Sequence, residues 1–154
     1  MRHVHLVLLL CGMVACGGLV VTVARAHGAA QQRTASGQRL FKGEDPLAAR
    51  INGISNVLEP EASRCSNCHE GVNPPDAAKE ASSGWVPAAP ILTPLLLTQE
   101  VSRRGGPPSR FNQESFCRLL TTGVDPAYVL VSRTMPRYEV TPSQCEDLWR
   151  YLIE

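Results

Sequence analysis

Lysine is nearly absent from this chain of 154 residues: of 15 basic side chains only Lys42 and Lys79 are lysines, and the rest are arginines. The formal net charge is +1, with 14 acidic residues against those 15, so the chain lacks the basic excess of a nucleic-acid-binding surface. Histidine is equally scarce, with His3, His5 and His27 near the start and His69 alone in the interior of the sequence. No Ser/His/Asp set, carboxylate pair or phosphate-cradling glycine loop can be assembled, so hydrolysis has no machinery here. No alternating apolar run is long enough to read as a useful strand, and no segment repeats. The sequence pattern therefore predicts a small all-α domain.

Against this sparse background one stretch carries chemistry. Arg64-Cys65-Ser66-Asn67-Cys68-His69 places two thiols and an imidazole at positions i, i+3 and i+4, which share one face of a helical turn. Each thiol can add to one vinyl group of a haem, and the imidazole directly after the second cysteine can reach the iron. A zinc site would need two further close ligands, and the remaining cysteines, Cys117 and Cys145, stand singly. A redox dithiol expects a strand before the motif and a long helix after it, whereas Pro60 precedes this one and Pro74-Pro75 follow. Compartment decides between these readings, because covalent haem attachment belongs to exported proteins.

The start of the chain reads as an export signal. Arg2 leads into an apolar stretch over residues 4–23, and Ala24-Arg25-Ala26 offers an A-x-A-like cleavage site. Residues 1–26 are thus expected to be a signal peptide and residues 27–154 a single domain. The same stretch is long enough to span a bilayer if retained. Met13-Val14-Ala15-Cys16-Gly17 also resembles a lipoprotein box, although methionine fits its first position poorly. All three readings put the folded part outside the cytoplasm, in the periplasm, with contact to a membrane only through an N-terminal anchor.

Cysteine parity adds a further expectation. Six cysteines less two in the presequence and two in the haem motif leave Cys117 and Cys145. In an oxidising compartment such a remainder is usually a disulfide, the alternative being two buried thiols acting as small apolar residues. A bridge from 117 to 145 would enclose Met135 and contribute roughly 3–4 kcal/mol in the chain-entropy model.

Local signals then predict the elements. Residues 29–33 read as a flexible lead-in and residues 36–42 as a short helix stopped by Gly43. Residues 44–59 have no clean period and read as an ordered loop. Residues 73–90 read as a loop rich in Pro, Ala and Ser. Thr93-Pro94 starts a helix expected to run to about Arg103, where basic residues and Gly105 end it. Asn112 caps a helix with Phe116, Cys117, Leu119 and Leu120 on its apolar side, ending at Gly123. Thr141-Pro142-Ser143-Gln144 is a capping box that opens the last helix, with Cys145, Leu148, Trp149 and Leu152 facing inward.

In this order the motifs resemble the class I, single-haem family of c-type cytochromes: Gly37-x-x-x-Phe41, Cys65-Ser66-Asn67-Cys68-His69, Met135-Pro136-Arg137-Tyr138, and Leu148-Trp149-Arg150-Tyr151-Leu152. The resemblance implies a small helical fold around one covalently attached haem c, in which the first and last helices cross. Gly37, Phe41, Leu148 and Tyr151 fit that crossing. Two features depart from the family: residues 44–64 form a longer link than usual, and the Cys117, Cys145 pair is not general.

With Cys65 and Cys68 binding the cofactor and His69 as one iron ligand, the second ligand decides the class of function. Met135 is the one methionine after residue 26, and it matches the family's Met-Pro ligand segment. His27, Lys79 or an open position are the alternatives. His69/Met135 ligation implies a periplasmic single-electron carrier and not an enzyme. Its partners would be redox proteins, namely a dehydrogenase or quinol-linked donor and a terminal oxidase or reductase. A cytochrome subunit of a larger oxidoreductase complex, docked through residues 44–64, is a variant, and a haem-based gas or small-ligand sensor or catalyst with a labile methionine is the rival. Trp85, Arg103, Arg104, Arg110 and Tyr138 can donate to the haem propionates, and a carbonyl near Pro74 or Pro75 can accept from His69.

Overall fold

The computed structural model describes residues 28, 30–70 and 89–154. The chain divides into two compact units, 1–33 and 34–154. Of the first, the described residues 30–33 are helical, where the sequence suggested a flexible lead-in. The apolar stretch of the presequence, and with it the choice between cleaved signal, anchor and lipidated start, lies outside the described residues. Among the described residues no helix is long and apolar enough to cross a membrane.

The second unit opens on helix α1, residues 34–42, whose end at Gly43 takes the left-handed φ of +74° that glycine adopts without cost. Strand β1 (Ala49–Arg50) and a single helical turn α2 (Ser66–His69) follow. Then come α3 (Pro94–Thr98), β2 (Val101–Ser102), β3 (Pro108–Ser109), α4 (Gln113–Thr122), β4 (Arg137–Tyr138) and α5 (Pro142–Ile153).

The all-α expectation is therefore corrected: two antiparallel two-stranded sheets, β1·β4 and β2·β3, accompany the helices. Both escape a periodicity reading because a two-residue strand is shorter than any pattern that reading detects. In the first sheet Ala49 pairs with Tyr138 and Arg50 with Arg137, and the Glu139 N–H donates to the Ala48 carbonyl at 2.9 Å. The long link before Cys65 is thus tied to the Met135 segment. In the second, the helix expected to continue to Arg103 stops at Thr98. Arg104 and Gly105 take φ of +49° and +76°, and the Gly106 N–H closes onto the Arg103 carbonyl at 2.8 Å. Two consecutive positive φ angles make a hairpin turn, so Arg-Arg-Gly reverses the chain here and does not end a helix.

The two long helices are built as their local chemistry dictates. In α4 the Asn112 side chain accepts from the Ser115 N–H at 2.8 Å, the Ser115 hydroxyl accepts from the Asn112 N–H at 3.0 Å, and Gly123 closes the other end at φ +76°. In α5 Thr141 and Gln144 cap each other in the same way, with Pro142 at the first position. Their inward faces supply Phe116, Leu119, Leu120, Leu148, Trp149 and Leu152 to the core, joined by Leu40 and Phe41 of α1. Cys117 and Cys145 are bonded to each other, clamping α4 to α5 across 28 residues of sequence.

α1 meets α5 at Gly37. A Cβ there would overlap the Asp147 carbonyl and come within 2.7 Å of the Tyr151 Cβ, so only hydrogen allows the helices this close. Beside the crossing, the Phe41 and Tyr151 rings pack tilted at 5.5 Å. Replacing Gly37 by alanine is expected to cost about 1–3 kcal/mol despite alanine's better helix propensity, because the backbones must separate. A lower urea midpoint at unchanged slope would report it; an equal or higher midpoint would refute the close crossing.

Candidate functional site

Between the hairpin, the helices and the Met135 segment lies a largely apolar cavity of about 570 Å³, within the range of small-molecule and cofactor sites. Cys65, Cys68, His69 and Met135 all line it, although the first three come from α2 and its N-cap and the fourth follows α4 in the chain. Phe41, Leu97, Phe116, Leu120 and Leu148 complete much of the apolar wall. Of the alternative iron ligands, His27 and Lys79 lie outside the described residues, as does Trp85.

The cysteines of the motif are free, Cys65 half-buried and Cys68 exposed. Burial pushes the Cys65 thiol up to about 11. α2 is short because its backbone leaves the helical region at Glu70, with ψ of 129°. His69 is held by its Nδ1, 2.8 Å from the Pro90 carbonyl. That contact assigns the proton to Nδ1 and leaves Nε2 as the ring nitrogen with a free lone pair. Burial also lowers the imidazole's pKa, with the Pro90 hydrogen bond acting in the opposite direction. The neutral form is the one that ligates metal. The acceptor is thus Pro90, whereas the expected Pro74 and Pro75 lie outside the described residues.

Met135 is half-buried, and its N–H donates to the Ser132 carbonyl at 3.2 Å. Three residues on, Tyr138 is buried and donates its hydroxyl proton to the Ser63 carbonyl at 2.8 Å, two residues before Cys65. The Met135 segment and the Cys65 segment are therefore joined by β1·β4 and by this phenol.

The polar end of the cavity is arginine. Arg103 lines the wall, but its guanidinium is taken up by the carbonyls of Leu96, Val101 and Ser109 and stacks over Phe111 at 5.1 Å. It braces the hairpin and has little left for a ligand. Arg104 also lines the wall, with an ion pair to Asp125 at 3.6 Å. Arg110 is exposed and Tyr138 is committed to Ser63.

Two residues were missed by sequence reasoning. Arg64 lines the cavity with a buried Nε that makes no hydrogen bond among the described residues, and its stem lies where a side chain on Gly43 would be. Its position directly before Cys65 was a usable signal. Asp125 is fully buried, its Oδ1 accepting from the Ala127 and Val129 N–H groups at 2.9 Å each. An aspartate followed by Pro126 in a turn is the ordinary signature of that arrangement, but nothing local points it at Arg104.

Among the described residues, no three His, Cys, Asp or Glu side chains cluster as a metal site. The imidazole of His69 and the thioether of Met135 line the same cavity. Compared with known families, curated proteins and solved structures, the chain matches none.

Burial and the neighbouring Cys65 raise the Tyr138 phenol above its ordinary value. The folded form then keeps a proton that the unfolded chain gives up above about pH 10, so stability is full below that pH and falls as pH rises. Tyr138→Phe is expected to cost about 1–2 kcal/mol at pH 8 by orphaning the Ser63 carbonyl. The variant should also lose stability less steeply in alkali than the parent, as urea midpoints at pH 8 and 11 would show. Parallel alkaline declines would refute the role given to this phenol.

Proposed function

We propose that this chain is an exported c-type haem protein that carries single electrons. The observation that carries the reading is that one apolar cavity is lined by both motif thiols, the following imidazole and Met135. Cys65 and Cys68 would hold the group covalently, and His69 and Met135 would bind its iron. A haem bound there supplies a one-electron couple.

The chain's own residues do the rest. His69, fixed through Nδ1 to Pro90, presents its other nitrogen without having to lose a proton. Met135 offers a neutral thioether, which favours the reduced metal and raises the potential. The apolar wall excludes water from the couple, so little solvent reorganises when charge changes. Arg64 and Arg104 are the cationic groups suited to the propionates, Asp125 holding the second of them.

Export is supported by the signal-like residues 1–26 and by the Cys117–Cys145 bond, which suits an oxidising compartment. The resemblance to single-haem c-type cytochromes is supported by motif order and by the Gly37 crossing. Such a carrier would serve a dehydrogenase or quinol-linked donor and a terminal oxidase or reductase, through small transient interfaces.

The test is the far-red spectrum of the ferric, haem-loaded protein. A weak sulfur-to-iron band is expected, and it should vanish in Met135→Ala. A parent that lacks the band and binds imidazole readily would overturn the carrier and favour a ligand-sensing or catalytic haem.

A further inference from the structure

Met135 has three rotatable side-chain bonds and no local stiffness of its own, so whatever fixes its backbone fixes how well its sulfur is presented. Its N–H is held by the Ser132 carbonyl at 3.2 Å. Its own carbonyl accepts from Arg137 Nη1 at 2.6 Å, across two residues of the same segment. We infer that Arg137 is the positioning residue for Met135 and determines how readily another ligand displaces its sulfur, an inference that rests on the reading of Met135 as axial ligand.

Three features of the site support this assignment. The Arg137 backbone lies in β4, in register with Arg50 of β1, so its Cα is anchored to a different part of the chain. Its guanidinium lies over Gly123, where a Cβ would overlap Cζ, Nε and Nη2. Gly123 is itself fixed, capping α4 at φ +76° and accepting from the Val131 N–H at 2.9 Å. The fork is thus gripped between the end of α4 and the methionine loop, with its one hydrogen bond aimed at Met135.

The third feature concerns stability. Arg137 Nε and Nη2 are buried and make no hydrogen bond among the described residues. A cation desolvated for a single hydrogen bond is a poor stabilising device, and a neutral side chain of similar size would be as good or better for folding alone. A purely structural role and a positioning role therefore predict different outcomes on substitution.

The experiment uses the haem-loaded full chain and reads three quantities: the sulfur-to-iron band, the apparent affinity for imidazole, which competes with methionine, and the urea midpoint. Arg137→Gln is expected to raise imidazole affinity roughly ten-fold, the equivalent of one charge-assisted hydrogen bond, with the urea midpoint equal or higher. Arg137→Lys, which keeps the charge and a donor but not the planar fork, should recover part of the effect. Gly123→Ala displaces the same guanidinium from the other side and should move affinity in the same direction. Arg133→Gln, an exposed arginine of the same loop, is the control and should bind imidazole as the parent does.

If the band is present in the parent and neither Arg137→Gln nor Gly123→Ala changes imidazole affinity, the inference is overturned and the methionine reading stands. A drop in urea midpoint with the band and affinity unmoved would make Arg137 structural only, and also overturns it. A parent without the band refutes Met135 ligation itself, and the inference with it.

Discussion

The last helix, α5, is the surface against which the rest of the second unit is assembled, and the closeness of its contact with Gly37 sets the scale. With a hydrogen at position 37 the backbone of α1 comes down onto the Asp147 carbonyl, and Phe41 then reaches the Tyr151 ring. On the next face Trp149 stacks against Phe116 at 5.5 Å, and Cys145, almost fully buried, is bonded to Cys117. Leu148 and Leu152 reach past these contacts to the cavity. A larger residue at 37 would move α1, and with it the Phe41 wall, away from everything α5 organises.

The cavity persists because its boundaries are fixed by polar devices outside its apolar lining. An apolar space of this size would collapse if the elements around it were free to relax, since every unfilled contact forfeits dispersion energy. Arg103 binds the end of α3 to the β2·β3 hairpin through four backbone carbonyls. Asp125 holds its own loop through two N–H groups and turns Arg104 toward the cavity. Tyr138 and β1·β4 fasten the Met135 segment to the residues just before Cys65. Each arrangement commits a polar side chain to fixing one wall of the cavity.

The legible and illegible parts of the sequence divide along contact range. Thr141 with Gln144, Asn112 before α4, Gly43 and Gly123 act within a few residues, and the helices begin and end where these signals put them. The stripe Cys145, Leu148, Trp149, Leu152 was equally plain, because a 3.6-residue period writes itself into the sequence. Arg103-Arg104-Gly105 misled for a physical reason: basic residues before glycine suit a helix end and a positive-φ hairpin turn alike, and the Ser109 pairing across the turn decides between them. β1 and β4 were illegible because Ala49 meets Tyr138 across most of the domain. The four residues gathered at the cavity were each singled out by chemistry. Two of the groups that hold them there, Pro90 on His69 and Arg137 on Met135, act through backbone carbonyls, which no pattern of side chains reveals.

The four described cysteines show how one chain keeps two kinds of thiol chemistry apart. Cys117 and Cys145 stand 5.8 Å apart at Cα on packed helices, a separation a disulfide bridges without moving the backbone. Cys65 and Cys68 are free although three residues apart on one turn. Burial raises the Cys65 thiol to about 11, so at neutral pH almost none of it is thiolate, the form that attacks a disulfide or is oxidised. The apolar wall beside Cys65 thus keeps that sulfur, in the free chain, protonated and slow to exchange with the bonded pair.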